Sequence, residues 1–412
     1  MRKLVFFYIP LLLFMMTSCE ISPLIAEIDG YAGRFVKIRV MRFSSNSTEY
    51  EISHLGKVIA HGTVEGLSAT IEFFAPSPGR YELWIDGDVR AFDVPPPRWS
   101  VLVWMVADND LHPFVEEDLQ EMEKAAEDVS VIVALDAASD SILALSRSGF
   151  KVVKEVSMNG GNGEELREFM ENYGIPSVKT FLIIWDHGAA WLKDFRYSTK
   201  AVGFDEGSKD ALTISELAES IPFEVNVIGF DACFMGSIEV AYELRRKALY
   251  MVASGDYEPG SGWNYSFLED ISNLDPRGAA EKVVDAYASA YSDLKMPLSL
   301  AVLDLLKTDD LASSLREYVK VVPLEDLKEL ARELRDDDEY RRFLKDASKV
   351  LSLYEPSLKE FEELVVHGWG SAQLVNIFLP NPGLLDNAIA DYETLSFGSE
   401  TGWTELLREA GL

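Results

Sequence analysis

The stretch VIGFDACFMGSIEVAYEL, residues 227–244, decides how this 412-residue chain is read. A run of β-branched and aromatic residues stops at Asp231, Ala232 and Cys233, and a helix-forming sequence follows at once. A buried strand that hands over directly to a helix is the repeating joint of an α/β sheet. The runs WSVLVWMVA (99–107), VSVIVALDAA (129–138), KTFLIIWDH (179–187), ALYMVASGD (248–256), PLSLAVLDL (297–305) and AQLVNIFLP (372–380) are nearly continuous in apolar residues. Strands covered on both faces have that character. Between them EEDLQEMEKAAED, GEELREFMENYG and TISELAES show helical spacing, the last opened by Thr213 and Glu216 at the spacing of a capping box. A largely parallel sheet flanked by helices is therefore expected over 98–412. A charged helical excursion near 308–365 interrupts it, with Leu327, Leu330 and Leu334 on one face and an acidic run at 336–338 that reads as solvated surface.

Residues 25–94 follow a different rule. Short alternating segments such as GRFVKIRVMRF, ATIEFFA and GRYELWIDG are separated by Gly, Pro, Asn and Ser, and predict a small all-β sandwich of immunoglobulin-like size. His54 and His61 fall inside it as isolated surface or core residues. PPP, residues 95–97, then reads as a stiff extended connector, so the β-domain and connector occupy 19–97.

The first residues, MRKLVFFYIPLLLFMMTSCE, place Arg2 and Lys3 before an apolar run and then Thr17, Ser18 and Cys19. The run is short for a membrane span and has the order of an export signal, here 1–18. MTSC resembles a bacterial lipobox, which implies a lipidated Cys19, a cell-envelope location and a membrane partner through the anchor. A plain signal or membrane anchor with an incidental Cys19 is the other reading. The chain has two cysteines, so a lipidated Cys19 leaves Cys233 without an intrachain disulfide partner. The net charge of −31 excludes a phosphate-backbone partner, and no nucleic acid is expected.

In open α/β sheets ligands bind beyond the carboxyl ends of the strands. His187 and Cys233 both stand at such ends. A thiol at a helix start is favoured as thiolate by the macrodipole, and an imidazole exchanges protons near neutral pH. Gly188 lets a backbone N–H approach a substrate carbonyl. These are the parts of a thiol acyl-transfer site. A buried cysteine as a small hydrophobe and a histidine as a structural hydrogen-bonder are the bland readings of the same residues.

HG at 187–188 followed by DAC at 231–233 resembles the histidine and cysteine motifs of the clostripain family of cysteine peptidases, which share the caspase-like fold. VLVWMVADNDLHPFVEEDLQEME, FDACFMGSIEVAYELRRKALYMVASGDYEPGSGWNY, LVNIFLP and TGWTELL are similar to further blocks of that family. The resemblance covers 99–412 and omits the β-domain. It implies His187 as general base and acid, Cys233 as nucleophile, the N–H groups of Gly188 and Cys233 as oxyanion donors, and a peptide or protein substrate cut after Arg or Lys. Asp231 is implied in the acidic pocket, with Asp256 and Glu258 as further candidates or as ordinary surface carboxylates. Trp185, Trp191 and Trp263 are candidate cleft walls or core, and Asp108, Asn109 and Asp110 are expected to shape the first loop by side-chain to backbone bonds, with a role in the cleft left open. No cofactor is expected, with calcium left open. Lys200, and with it Lys193, Arg196 and Lys209, are candidate self-processing sites. Where the family reads His-Gly-Ser-Gly-Trp this chain has Ala189 and Ala190, which would narrow the pocket or alter the loop. The rival from another class is a catalytically silent cell-surface binding lipoprotein on a peptidase fold.

Overall fold

The computed structural model describes residues 23–42, 44–192 and 201–412. The export segment with Cys19, and Lys193, Arg196 and Lys200, lie outside the described residues. Contacts divide the chain into two compact units. Among the described residues, the smaller contains 23–28, Lys37–Glu72 and Arg80–Phe92, and the larger contains Asp29–Val36, Phe73–Gly79 and Asp93–Leu412.

Seven strands make up the N-terminal all-β region: β1 (Leu24–Asp29), β2 (Arg34–Met41), β3 (Thr48–His54), β4 (Lys57–Val64), β5 (Ser68–Ala75), β6 (Gly79–Ile85) and β7 (Asp88–Val94). They form one sheet in the order β1-β2-β5 and another in the order β4-β3-β6-β7. Alternation is clean in β6, where Tyr81, Leu83 and Ile85 are buried and Arg80, Glu82 and Trp84 face solvent. Each such aliphatic side chain is worth about 1.5–3 kcal/mol on burial. Arg42 is buried yet satisfied, with two 2.9 Å bonds to Asp86 and three to backbone carbonyls. His54 is a core residue, stacked on Tyr81 at 4.1 Å, and His61 is exposed.

The larger unit is built on a nine-stranded sheet. Its strands are β8 (Trp99–Val106), β9 (Val129–Asp136), β10 (Ser141–Ser146), β11 (Gly149–Glu155) and β12 (Lys179–Trp185). A two-stranded pair, β13 (Val202–Asp205) and β14 (Asp210–Leu212), follows outside it; β15 (Val225–Asp231), β16 (Ala248–Ala253) and β17 (Ser299–Asp304) then return to the sheet. The order is β11-β10-β9-β8-β12-β15-β16-β17, closed at the edge by Val365–Gly370. The central five strands, β9 to β16, pair in parallel, and both flanks are antiparallel. This is a mixed sheet with helices on its faces, the caspase-like arrangement.

The continuous apolar runs have a direct cause. Leu102, Trp104 and Val106 of β8 enter one hydrophobic cluster, and Val101, Val103 and Met105 of the same strand enter the other. Both faces are covered, so neither is polar. The capping box forms as read, with Thr213 and Glu216 bonded reciprocally at the start of Ile214–Ser220. Two readings change. AQLVNIFLP contributes a three-residue strand, Asn376–Phe378, to a separate pair with Leu344–Asp346 instead of a main-sheet strand. The edge strand is VVHGWG, half-buried and glycine-containing, so it carries no apolar run to reveal it. The excursion is helical at Thr308–Val321, Leu324–Glu333, Ala347–Leu351 and Glu355–Leu364.

Candidate active site

Register brings the two motifs together. In the parallel pairing of β12 with β15, Trp185 lies opposite Asp231. His187 and Cys233 each stand two residues further on, so they leave neighbouring strands at the same level, with strands about 4.8 Å apart. β8 lies on the other side of β12, with Met105 opposite Trp185. The chain runs from β8 outward to β9 and returns to β12 on the opposite side, which makes the β8/β12 boundary the topological switch point where ligands bind. A cleft of about 230 Å³ opens there, lined among others by His187, Gly188, Asp231, Cys233, Glu258 and Tyr340.

Cys233 is not at a helix start. It sits in a tight turn after β15, and the helix Ile238–Leu244 begins only after Ser237. Phe234 takes a left-handed φ of 60°, uncommon for a residue with a bulky side chain. Its N–H is bonded to the Asp256 carbonyl at 2.9 Å, and its ring packs on Tyr257 and Tyr340 at 4.5 and 4.9 Å. The turn is fixed by these contacts. Burial pushes the Cys233 thiol up to about 12, and neighbouring carboxylates add to the effect against the N–H of Glu258, which donates to Sγ at 3.2 Å. The resting group is a thiol.

The acids separate by partner. Asp231 is buried and accepts the Trp263 N–H at 3.1 Å and the Tyr265 hydroxyl at 2.8 Å, both on Oδ2. Burial raises its carboxyl to about 6. Glu258 lies beside it and is pushed well above the ordinary range by burial and then by Asp231, so at neutral pH the pair shares one negative charge. Asp118 is bonded to Trp185 Nε1 at 2.7 Å and is raised to about 8 by burial and then by Asp231. Asp256 is not on the cleft wall: Arg341 holds it with three contacts of 2.7–3.2 Å. The acidic run is not plain surface either. Asp336 and Asp338 cap the turn that carries Tyr340 and Arg341, and Tyr257 donates to Asp338 at 3.0 Å.

Of the three tryptophans only Trp185 lines the cleft; Trp191 packs edge-on against Phe378 and Tyr392, and Trp263 is core. Ala189 and Ala190 are buried and away from the cleft, so they do not narrow it. Ala190 has φ 55°, a conformation suited to glycine. Gly188 has no room for a side chain, since a Cβ there would lie 2.4 Å from the Cys233 carbonyl oxygen.

Which partners the first-loop side chains take could not be read from the sequence. Asp110 Oδ1 lies 2.6 Å from His187 Nε2, and Asn109 beside it bonds Asp186 at 2.7 Å. The other loop acid, Asp108, groups with Asp136 and Asp205, one oxygen of each within 4.8 Å of the others. Three carboxylates suit a hard cation such as calcium in donor type.

A thiol and an imidazole facing one cleft at the carboxyl end of a caspase-like sheet, above a buried acid, define a cysteine peptidase. The family model described as the clostripain family matches residues 103–365, and the chain belongs to that family. Its structure is similar to an inactive zymogen C11 protease from Parabacteroides distasonis, with 18% identity, TM-score 0.63, and coverage of 74% of this chain and 98% of that one. It is likewise similar to a secreted C11 cysteine protease from Bacteroides thetaiotaomicron in complex with an irreversible peptide inhibitor, with 18% identity, TM-score 0.62, and coverage of 74% and 99%. No curated protein matches the chain.

Proposed function

We propose that this peptidase is an exported endopeptidase that cuts after Arg or Lys through a dyad of Cys233 and His187. The observation that most supports this is the buried acid pair Asp231 and Glu258 on the wall of the cleft that also holds the thiol. A guanidinium or ammonium entering there meets a charge that, among the described residues, no cation pairs with, unlike Asp256 with Arg341. In the reaction Cys233 Sγ attacks the carbonyl as His187 takes its proton. The N–H groups of Gly188 and Cys233 hold the oxyanion, His187 returns the proton to the leaving amine, and water hydrolyses the thioester.

Export rests on the first residues. Among the described residues no helix is long and apolar enough to cross a membrane. A lipid on Cys19 would hold the enzyme at a bacterial envelope membrane, stably once two acyl chains are present. Self-processing near Lys200 is part of the same reading, and calcium, if supplied, would be held by Asp108, Asp136 and Asp205, tying three loops together. The silent-lipoprotein alternative loses its main support, because the altered residues Ala189 and Ala190 do not reach the cleft.

A cleavage profile over a peptide library, run beside Cys233→Ala and His187→Ala, tests the proposal. Cleavage after basic residues is expected from the parent, none from either variant, and two chains meeting near Lys200 only where Cys233 is present. A profile centred on acidic or small residues, or full activity of either variant, refutes it.

A further inference from the structure

The loop that leaves β8 meets the end of β12 at two adjacent points. In the interior, Asn109 Nδ2 donates to Asp186 Oδ1 at 2.7 Å and to the carbonyls of Val106 and Phe204 at 3.2 Å each, while Asn109 Oδ1 accepts the Leu111 N–H at 2.9 Å. Asp186 is buried and also accepts the Phe204 N–H. One residue further along each loop, at the cleft, Asp110 Oδ1 lies 2.6 Å from His187 Nε2. Residue 109 pairs with 186, and 110 with 187.

We propose that Asp110 is a positioning residue for the peptidase reaction, fixing the tautomer and orientation of His187, and that the contact of Asn109 with Asp186 is the clamp that keeps the two loops in register. The proposal rests on the reading of His187 as the proton-transfer group.

An ionised carboxylate only accepts hydrogen bonds, so the proton between Asp110 and the ring sits on Nε2. The lone pair of the neutral ring is then on Nδ1, and Nδ1 is the nitrogen that takes the thiol proton and hands it to the leaving amine. The opposite tautomer would present an N–H where a base is required. When the ring carries both protons, Asp110 faces a cation. That attraction is strongest at the point of proton transfer, so its loss lowers kcat more than it alters KM.

Exposure sets the size of the effect. The Asp110 side chain is 73% exposed and His187 18%. An exposed pair on its own is weak and pays for its own ordering. Here the ordering is done one residue away, by the half-buried Asn109, which makes four hydrogen bonds. Neutralising a buried carboxylate in this role costs about 10⁴-fold in kcat; with solvent access at Asp110 a loss of roughly 10- to 100-fold is expected.

The test compares Asp110→Asn, Asp110→Ala, Asp110→Glu and His187→Ala in the full chain, with steady-state kinetics on a basic peptide substrate and NMR of isotope-labelled histidine, His187 being assigned by its loss in His187→Ala. The expected result is an Nε2–H ring in the parent and a mixed tautomer in Asp110→Asn. Asp110→Asn and Asp110→Ala should lose kcat at nearly constant KM, with unchanged melting temperature, and Asp110→Glu should recover part of the rate. The proposal falls if both Asp110 variants keep the parent kcat while His187→Ala is inactive, if the parent ring is an Nδ1–H tautomer, or if Asp110→Glu is no better than Asp110→Ala. Full activity of His187→Ala would overturn the dyad together with this proposal, which separates the two failures.

Discussion

Replacing Asp231 by Asn should make the protein more stable and a worse enzyme. Burial raises the Asp231 carboxyl from 3.8 to about 6. A displacement of about two pH units corresponds to about 3 kcal/mol at ~1.4 kcal/mol per unit. At pH 8 the folded state therefore carries a charge at a cost of that order relative to the unfolded chain, and Asn removes it. The geometry tolerates the change: both bonds to the side chain fall on Oδ2, where an amide oxygen can accept the Trp263 N–H and the Tyr265 hydroxyl equally well. The catalytic effect has the opposite sign. Breaking a buried ion pair with a substrate guanidinium costs about 3 kcal/mol, or roughly 100-fold in kcat/KM. The assay is urea denaturation at pH 8 beside kcat/KM for two peptides that differ only in arginine or uncharged citrulline at the cut site. Asp231→Asn should gain stability, lose about two decades on the arginine peptide and change little on citrulline. Loss of stability together with activity, or an equal fall on both peptides, would show that Asp231 is a structural acid and that the pocket argument is wrong.

Three further outcomes follow from the same geometry. Ala190→Gly should raise stability by about 0.5–1 kcal/mol in thermal or urea melts with kcat unchanged, because a left-handed φ of 55° strains Ala and not Gly. Gly188→Ala forces a Cβ to within 2.4 Å of the Cys233 carbonyl oxygen and should cost about 1–3 kcal/mol with at least a roughly 100-fold loss of kcat; normal kinetics in that variant would remove Gly188 from the site. Melting temperature should rise as pH falls from 8.5 to 5.5, since the Asp118 and Asp231 carboxyls, at about 8 and about 6, bind protons in the folded chain that the unfolded chain has already released, and the stability held in those protons is lost as pH rises through that window.

Much of the fold was legible because both faces of the sheet are covered. Burial on two sides makes β8, β12 and β15 apolar through most of their length, with polar residues such as Ser100, Lys179 and Asn226 near their starts. The edge strand Val365–Gly370 is half-buried along its length and holds His367 and two glycines, so no apolar run marked it. His187 and Cys233 were legible as residues at strand ends, and their meeting needed only the parallel register of β12 and β15. Asp256 and Glu258 were not separable in sequence. Two residues apart and alike in chemistry, they differ because Arg341, 85 positions away, takes one of them, while the other turns in beside Asp231.

The reading of the thiol changes most, and the change bears on mechanism. A cysteine at a helix start would be drawn toward thiolate by the aligned peptide dipoles before any substrate arrives. Here a pinned turn from Phe234 to Gly236 separates Cys233 from the helix, and burial beside carboxylates holds the thiol protonated. The nucleophile therefore has no standing source of activation in its own turn. Its proton has to be removed during attack, by the His187 ring across the same cleft, and the free energy of that step depends on how well His187 is aimed. In such a site the residues that aim the ring matter more than those that surround the sulfur, and the paired contacts of 109 with 186 and 110 with 187 are placed to do the aiming.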